Sequence, residues 1–392
     1  MKGGKLLAQG GYGCVFLPGI NCNGTSMTSK KYVSKIQKFD STARNEIEIG
    51  KILQIINGYY NHFSPVCKFC NIDVATIKDD DKKKCTVFKK KGTKKFVVMK
   101  LLYIKGQDLI DYIIHHTNSI QIVSNLIHSY NHLLRTLTML IGREIIHFDF
   151  KGTNILFNEI MQVPLLIDFG LSIQMKKINK NNLQNIFYTY APEYYVWSLE
   201  IHYLCFLLHR NKNPTTSDLK HIAEVFTTNN KGLKNFSPNF LKKYEEKCYK
   251  QMKYYNSLEY NSRIEKILNY WKTFDNYSLS IMYLKFINDS NPTGFKKNNF
   301  IIFFSKLLLQ NIDPNPQNRR SIIESIHIFN GFLYKKNINN ISTFEEISKM
   351  FIENRKTIID QSKKERTKQK SETKKMKNLF KKKNKKIKKI EK

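Results

Sequence analysis

The hydrophobic pattern of the chain changes period several times, and the changes mark its elements. Leu6 and Leu7 lead into a glycine cluster, Leu7-Ala8-Gln9-Gly10-Gly11-Tyr12-Gly13, and Val15 and Phe16 lead out of it, the outline of a two-stranded hairpin. In "KKYVSKIQKF", Val33 and Ile36 flank Lys35 in a second strand-like run. The pattern then turns helical in "STARNEIEIGKILQIINGYY", with apolar side chains at 49, 52, 53, 55 and 56 and Ser41 as a candidate N-cap. Of the two glutamates here, Glu48 has Ile52 and Ile55 at i+4 and i+7, so Glu48 rather than Glu46 is expected on the inward face. A hairpin is expected around "FKKKGTKKFVVM", and "LLYIKGQDLIDYI" reads as a strand, a short linker and a helix start. Residues 120–141 are apolar with helical period, and "VPLLIDFGLSI" is a buried strand ending at Asp168-Phe169-Gly170. The remainder beyond 120 reads as mainly helical.

One stretch breaks the pattern. "HFDFKGTNILF" (147–157) sets the carboxylate of Asp149, the amine of Lys151 and the amide of Asn154 side by side, then returns to apolar residues. A buried strand would not hold them, since each uncompensated polar group costs roughly 2–7 kcal/mol. Taken alone the stretch fits a solvated turn, so only partner motifs elsewhere can decide its meaning.

Those partners exist, in a fixed order: a glycine-rich hairpin, a strand lysine (Lys35), a helix glutamate, then His147-x-Asp149-x-Lys151-x-x-Asn154, then Asp168-Phe169-Gly170. In this order and spacing the chain resembles the eukaryotic-type protein kinase family along residues 1–330. Three later matches agree: "YAPEYY" with Ala191-Pro192-Glu193, "FDNYSLSIMYL" with Asp275, and "DPNPQNRRS", whose Arg319 would pair with the glutamate of the first. About 80 residues separate Glu193 from Asp275, so 201–270 reads as a helical insertion. The resemblance implies an α+β, bilobal kinase-like fold within residues 1–335: a β-rich N-lobe (1–104), a helical C-lobe (105–335), then a helical extension (336–361).

It also implies a Ser/Thr protein kinase that uses ATP and Mg²⁺ (or Mn²⁺) and acts on a protein substrate. Asp149 would orient the substrate hydroxyl and accept its proton, and Lys151 would neutralise the γ-phosphate. Asn154 and Asp168 would hold the metal, which takes hard oxygen ligands. Lys35, held by Glu48, would grip the phosphates, and the run Leu7, Ala8, Gln9, Gly10, Gly11, Tyr12, Gly13 with Val15 would cover the nucleotide. Leu101 would be the gatekeeper and Leu102–Ile104 the adenine hinge. Lys151 places the loop with the Ser/Thr group. The rival reading is a pseudokinase scaffold acting through its basic surface, against which stand the retained Lys35, Asp149, Asn154 and Asp168.

The chain departs from the family at three places. Ala8 stands where the first loop glycine is usual. Phe148 replaces the arginine that normally receives an activation-loop phosphate, so loop phosphorylation is not the expected switch. Finally, "VWSLE" (196–200) competes with Ala191-Pro192-Glu193 as the end of the activation segment, leaving Glu193 and Glu200 both open as partners of Arg319. Divergent kinases of large DNA viruses look similar here.

Composition adds location and charge. With 392 residues, 41% of them apolar, the chain can build a substantial core. No apolar run approaches the ~18–20 residues a membrane span needs, and "MKGGKLLAQGG" lacks a signal-peptide core, so an intracellular protein is expected. Seven cysteines suit reduced thiols. Cys67, Cys70 and Cys85, with Cys22 or His62, are the alternative as zinc ligands, which the spacing favours less. Of the net charge of +34, residues 362–392 carry +13, so this tail is expected to be disordered and to attract a polyanion, nucleic acid or acidic protein.

Overall fold

The computed structural model describes residues 4–10, 13–88, 95–115, 119–187, 189–210, 213–290 and 299–335. Gly11, Tyr12, the centre of the hairpin expected at 88–99, the extension and the basic tail lie outside these residues. The chain is mixed α/β, with a small antiparallel sheet and many helices. The described residues divide into two compact units: 4–107 with Asn154–Ser172, and Asp108–Thr153 with 173–335. Among the described residues no helix is long and apolar enough to cross a membrane.

In the first unit, β1 (Leu6–Gln9), β2 (Gly13–Phe16), β3 (Tyr32–Lys38), β4 (Lys68–Ile72) and β5 (Phe96–Leu102) form a five-stranded sheet in the order β1-β2-β3-β5-β4. Strand alternation sorts its two faces. Phe96 and Val98 of β5 join Cys14, Phe16, Ile36, Ile72, Cys85 and Val87 on one face. On the other, Val97, Met99 and Leu101 pack with Val33, Val66 and with Ala43 and Ile47 of α1 (Ser41–Gln54). Helix α1 is capped by Asp40, one residue before the expected Ser41. The Asp40 carboxylate accepts the Ala43 N–H (3.2 Å) and the Thr42 hydroxyl (2.6 Å). The described arm of the 88–99 hairpin is β5, and it pairs with β3 and β4. Gly13 is required by close approach, since a Cβ there would stand 2.6 Å from the Ile36 carbonyl oxygen.

The cysteines correct the sequence reading. Cys14 is bonded to Cys85 and Cys22 to Cys70, leaving Cys67, Cys205 and Cys248 as thiols. Cys70 and Cys85 therefore serve as disulfide partners and not as ligands of one zinc ion. The partners are 71 and 48 residues apart, and each bond joins a strand residue, Cys14 or Cys70, to a connection packed on the sheet.

The second unit is helical: α3 (Leu109–His115), α4 (Ser119–Ile141), α5 (Leu183–Ile186), α6 (Leu199–Arg210), α7 (Thr216–Thr228), α8 (Pro238–Asn256), α9 (Tyr260–Leu268), α10 (Phe274–Ser290), α11 (Asn299–Asn311) and α12 (Ile322–Lys335). Its core includes an aromatic knot in which the Tyr130 ring meets Tyr283, Phe304 and Phe329 edge-on at 5.0, 4.8 and 5.0 Å. Helices α6–α9 fill the stretch expected as an insertion, and local chemistry sets their ends. Thr215 and Asp218 form a capping box for α7, and Ser237 caps α8 with Pro238 in its first turn. The partner of Arg319 is Glu200, at 2.5 and 2.9 Å with both side chains fully buried. Glu193 is exposed. "VWSLE" thus supplies the buried glutamate, and Ala191-Pro192-Glu193 does not.

Candidate functional site

Two constellations gather the candidate residues, one in each unit. In the first, Lys35 lies on β3 on the same side as Val33, which faces α1. Its ammonium reaches both carboxylate oxygens of Glu46, at 2.8 and 2.7 Å, and Oδ1 of Asp168 at 2.9 Å. Glu46, not Glu48, is therefore the helix partner. Glu46 shares the buried face of α1 with Ala43, Ile47, Gly50 and Leu53, whereas Glu48 is exposed. The reading that favoured Glu48 counted Ile55 as inward, and Ile55 is 73% exposed. Gly50 marks the true inner face, where a Cβ would stand 3.0 Å from the Val66 carbonyl oxygen. Burial works to lower the Lys35 pKa, but the Asp168 and Glu46 carboxylates outweigh it and hold the value above that of an ordinary lysine.

Asp168 is placed by a bend. Its φ of 64° lies in the left-handed region, which costs a residue other than glycine on the order of 1–3 kcal/mol. Several contacts fix the turn. Asn45 of α1 donates its amide to the carbonyls of Ser172 (2.7 Å) and Gly170 (3.3 Å), and the Phe169 ring meets Phe63 edge-on at 5.9 Å. The Ile167 N–H donates to the Asn154 carbonyl at 2.9 Å. The strands Ile155–Asn158 and Val163–Leu166 pair antiparallel with Ile155 opposite Leu166, so Asn154 and Asp168 flank the same end of this ribbon.

Along the glycine-rich hairpin, Ala8 faces Val15 and Gln9 faces Cys14, and the Gly10 N–H donates to the Gly13 carbonyl at 2.9 Å. Val15 in turn lies opposite Lys35 on β3. Leu7 is half exposed and Ala8 exposed, while Leu101 is buried in the core beneath α1. The cradle is therefore backbone-rich beside a cation, an arrangement suited to phosphate.

In the second unit, the short strand Ile145–Ile146 pairs with Ile173–Gln174 and delivers His147 to Lys151, all five buried. The Lys151 ammonium bonds both oxygens of Asp149, at 2.8 and 2.9 Å. Asp275, at the start of α10, accepts the backbone N–H groups of His147 (2.6 Å) and Phe148 (3.0 Å). Burial pushes its carboxyl up to about 7, and these two N–H bonds pull the other way.

Two residues of this constellation were not foreseen. The Tyr194 hydroxyl donates to Asp149 Oδ1 at 2.7 Å, and the Trp197 indole N–H donates to the Phe148 carbonyl at 2.7 Å. The signal for them was the aromatic run "YYVW" before Glu200, which sequence alone could only count as apolar.

Chemically, Asn154 and Asp168 offer one amide and one carboxylate oxygen. Among the described residues no group of three or more His, Cys, Asp or Glu side chains is arranged to hold a metal ion. A divalent cation with a complete protein cage is not what these residues fit. One or two protein carboxylates, with phosphates and water completing the shell, make the ligand set that Mg²⁺ takes.

No family model matches the chain, and no curated protein matches it. Among solved structures, the autoinhibited serine kinase domain of the giant muscle protein titin aligns with 89% of this chain and 86% of its own length, at 15% identity and a TM-score of 0.42.

Proposed function

We propose that the chain is a Ser/Thr protein kinase that transfers the γ-phosphate of Mg-ATP to protein hydroxyls. One observation carries the reading. Lys35 is ion-paired at once with Glu46 and with Asp168, 133 residues away, so the strand lysine, the helix glutamate and the Asp-Phe-Gly aspartate converge on one charge. A structural ion pair needs one carboxylate. A lysine kept cationic between two is suited to gripping the phosphates of a nucleotide.

On this reading the two units are the small and large lobes of a bilobal kinase. Phosphoryl transfer asks mainly for positioning and charge neutralisation. Asn154 and Asp168 would hold Mg²⁺, which when bound offsets the negative charge of the phosphates. The Asp149 carboxylate would receive the substrate hydroxyl and its proton. Lys151, already on both Asp149 oxygens, would fix that carboxylate and compensate charge as the phosphoryl group moves. On this reading a substrate hydroxyl would take the place of the Tyr194 hydroxyl on Asp149 Oδ1.

The test is a radiolabelled-ATP assay with casein, myelin basic protein and the chain itself as acceptors. Label transfer by the wild type is expected, with Asp149→Asn losing about 10²–10⁴-fold while Mg-ATP binding persists. Asp168→Ala should instead weaken Mg-ATP binding in calorimetry. Nucleotide binding without transfer to any acceptor would favour a pseudokinase scaffold.

A further inference from the structure

The two disulfides tie one segment to the glycine-rich hairpin. The chain from Cys70 on β4 through α2 (Asp79–Lys84) to Val87 packs Ile72, Ile77, Cys85 and Val87 against the sheet face opposite α1. It is fastened at both ends, through Cys70 to Cys22 in the β2–β3 connection and through Cys85 to Cys14 on β2. Noncovalent contacts follow the same line. The Gln9 side-chain amide donates to the Thr86 hydroxyl at 2.6 Å, and the Thr86 N–H donates to Gln9 Oε1 at 3.4 Å. At Gly24, φ is +79° and a Cβ would stand 2.2 Å from the Thr76 carbonyl oxygen, so the β2–β3 connection is pressed onto this strap.

The two bonds differ in access. Cys14 and Cys85 have no exposed surface and lie within the core. Cys22 is exposed and Cys70 half-buried, so the second bond faces solvent. Cys67 remains a thiol although it lies three residues from Cys70. Its Sγ points to the Pro65 carbonyl at 3.7 Å, and burial raises its pKa, which makes it a poor thiolate for opening the neighbouring bond.

We propose that Cys14 and Cys85 form an oxidative modification site that raises the chain's affinity for nucleotide phosphate. Their bond holds the β1–β2 hairpin to the strap, whereas the solvent-facing Cys22–Cys70 bond ties only the β2–β3 connection. The inference rests on the nucleotide-binding reading of that hairpin. A glycine-rich hairpin must lose conformational freedom when its backbone closes on phosphate, and a covalent tie beside Gly13 removes part of that freedom beforehand. The oxidant is a disulfide, either glutathione disulfide or the disulfide of a thiol oxidase. For each bond a cysteine thiolate attacks the oxidant's sulfur, forms a mixed disulfide and expels one thiolate. The partner thiolate then attacks the protein sulfur and expels the second. Two protein thiols are oxidised, one oxidant disulfide is reduced to two thiols, and the two protons pass to the leaving thiolates.

The experiment uses the full chain purified without reductant. Differential alkylation and peptide mass mapping follow each bond during a dithiothreitol titration, with circular dichroism as the folding control. Mg-ATP affinity is read by calorimetry and amide exchange is read over residues 5–16. The expected order is opening of Cys22–Cys70 first with affinity unchanged. Opening of Cys14–Cys85 should then lower affinity about ten-fold and speed exchange in β1 and β2. Cys14→Ser/Cys85→Ser should reproduce the second state, and Cys22→Ser/Cys70→Ser the first. Seven free thiols in the native chain, instead of the three of Cys67, Cys205 and Cys248, would overturn the proposal. So would equal affinity and exchange in the reduced and oxidised chains, or global unfolding on reduction, which would make the bonds supports of the whole fold. If the oxidised chain binds no nucleotide, the kinase reading fails, and the exchange of residues 5–16 still reports whether the strap controls the hairpin.

Discussion

Replacing Glu200 should destabilise the chain far more than replacing Glu193, though both precede Arg319 as candidate partners in the sequence. Arg319 and Glu200 are fully buried and share two hydrogen bonds. The guanidinium also donates to the Asp313 carbonyl (2.8 Å) and the Thr273 hydroxyl (3.2 Å), and it lies 5.4 Å from the Tyr277 ring centre. The Asp313 contact is through its backbone carbonyl, and Thr273 and Tyr277 are uncharged, so no other carboxylate bonds the guanidinium. Glu200→Ala therefore leaves a cation stranded in a dry interior, at a cost of about 3–5 kcal/mol. Glu193 is exposed, and its replacement should stay within about 0.5 kcal/mol. For a domain of this size the larger loss corresponds to a drop of roughly 6–20 °C in Tm. Thermal and urea unfolding of the two variants decide the matter, and Arg319→Met in the Glu200→Ala background should recover part of the loss by removing the orphaned charge. Equal midpoints for Glu200→Ala and Glu193→Ala would refute the pairing.

The remaining predictions test the sites more directly. Glu46→Ala should raise the KM for ATP about ten-fold or more, since charge-assisted hydrogen bonds are worth about 1.5–3 kcal/mol, and Glu48→Ala should leave it unchanged; the reverse result in ATP titrations would restore Glu48. Phosphatase treatment should leave peptide turnover largely intact, whereas Trp197→Ala should reduce it; loss of nearly all activity on dephosphorylation would show that a phosphate is needed after all. Burial lowers the His202 pKa to about 3, against about 6.5 in the unfolded chain, so the unfolded state takes up a proton that the folded state refuses. That stability is complete above pH ~6.5 and is lost as the pH falls toward 3, at up to ~1.4 kcal/mol per pH unit; an unchanged slope in urea unfolding of His202→Gln would assign the acid loss elsewhere.

What the sequence revealed, and what it hid, follows from the range of the interactions. Lys35 stood out because strand alternation placed it beside Val33, and α4 because 120–141 keeps helical period throughout. Glu46 and Glu48 could not be separated, because the helix has apolar residues on both candidate faces and only the approach of Val66 to Gly50 selects one. The disulfides were invisible because each joins a strand to a connection dozens of positions away that only the folded chain packs against it. Glu200 was legible only as an alternative, since burial at the start of α6 depends on Arg319, 119 residues later. Gly11, Tyr12 and the basic tail remain expectations drawn from sequence.

Phe148, where the resemblance leads one to expect an arginine, is held by packing. The residue has a φ of 65°, a left-handed conformation with a cost on the order of 1–3 kcal/mol. Against that cost stand the N–H bonds of His147 and Phe148 to Asp275 and the bond from the Trp197 indole to the Phe148 carbonyl. The ring adds a stack on Trp197 (4.5 Å between centres, 28° between planes) and an edge contact with Phe187 at 5.7 Å. Aromatic pairs of this kind contribute about 0.5–1.5 kcal/mol each beyond their burial. Together the ring contacts and the indole bond hold the Asp149 loop to Phe187 and Trp197 without an ion pair. An arginine at 148 would link the same segments through an added phosphate, and the link would switch with that phosphate. Phe148 links them through buried surface that no kinase or phosphatase alters. On the proposed function, the loop that carries Asp149 would then keep its place whatever the phosphorylation state of its neighbours.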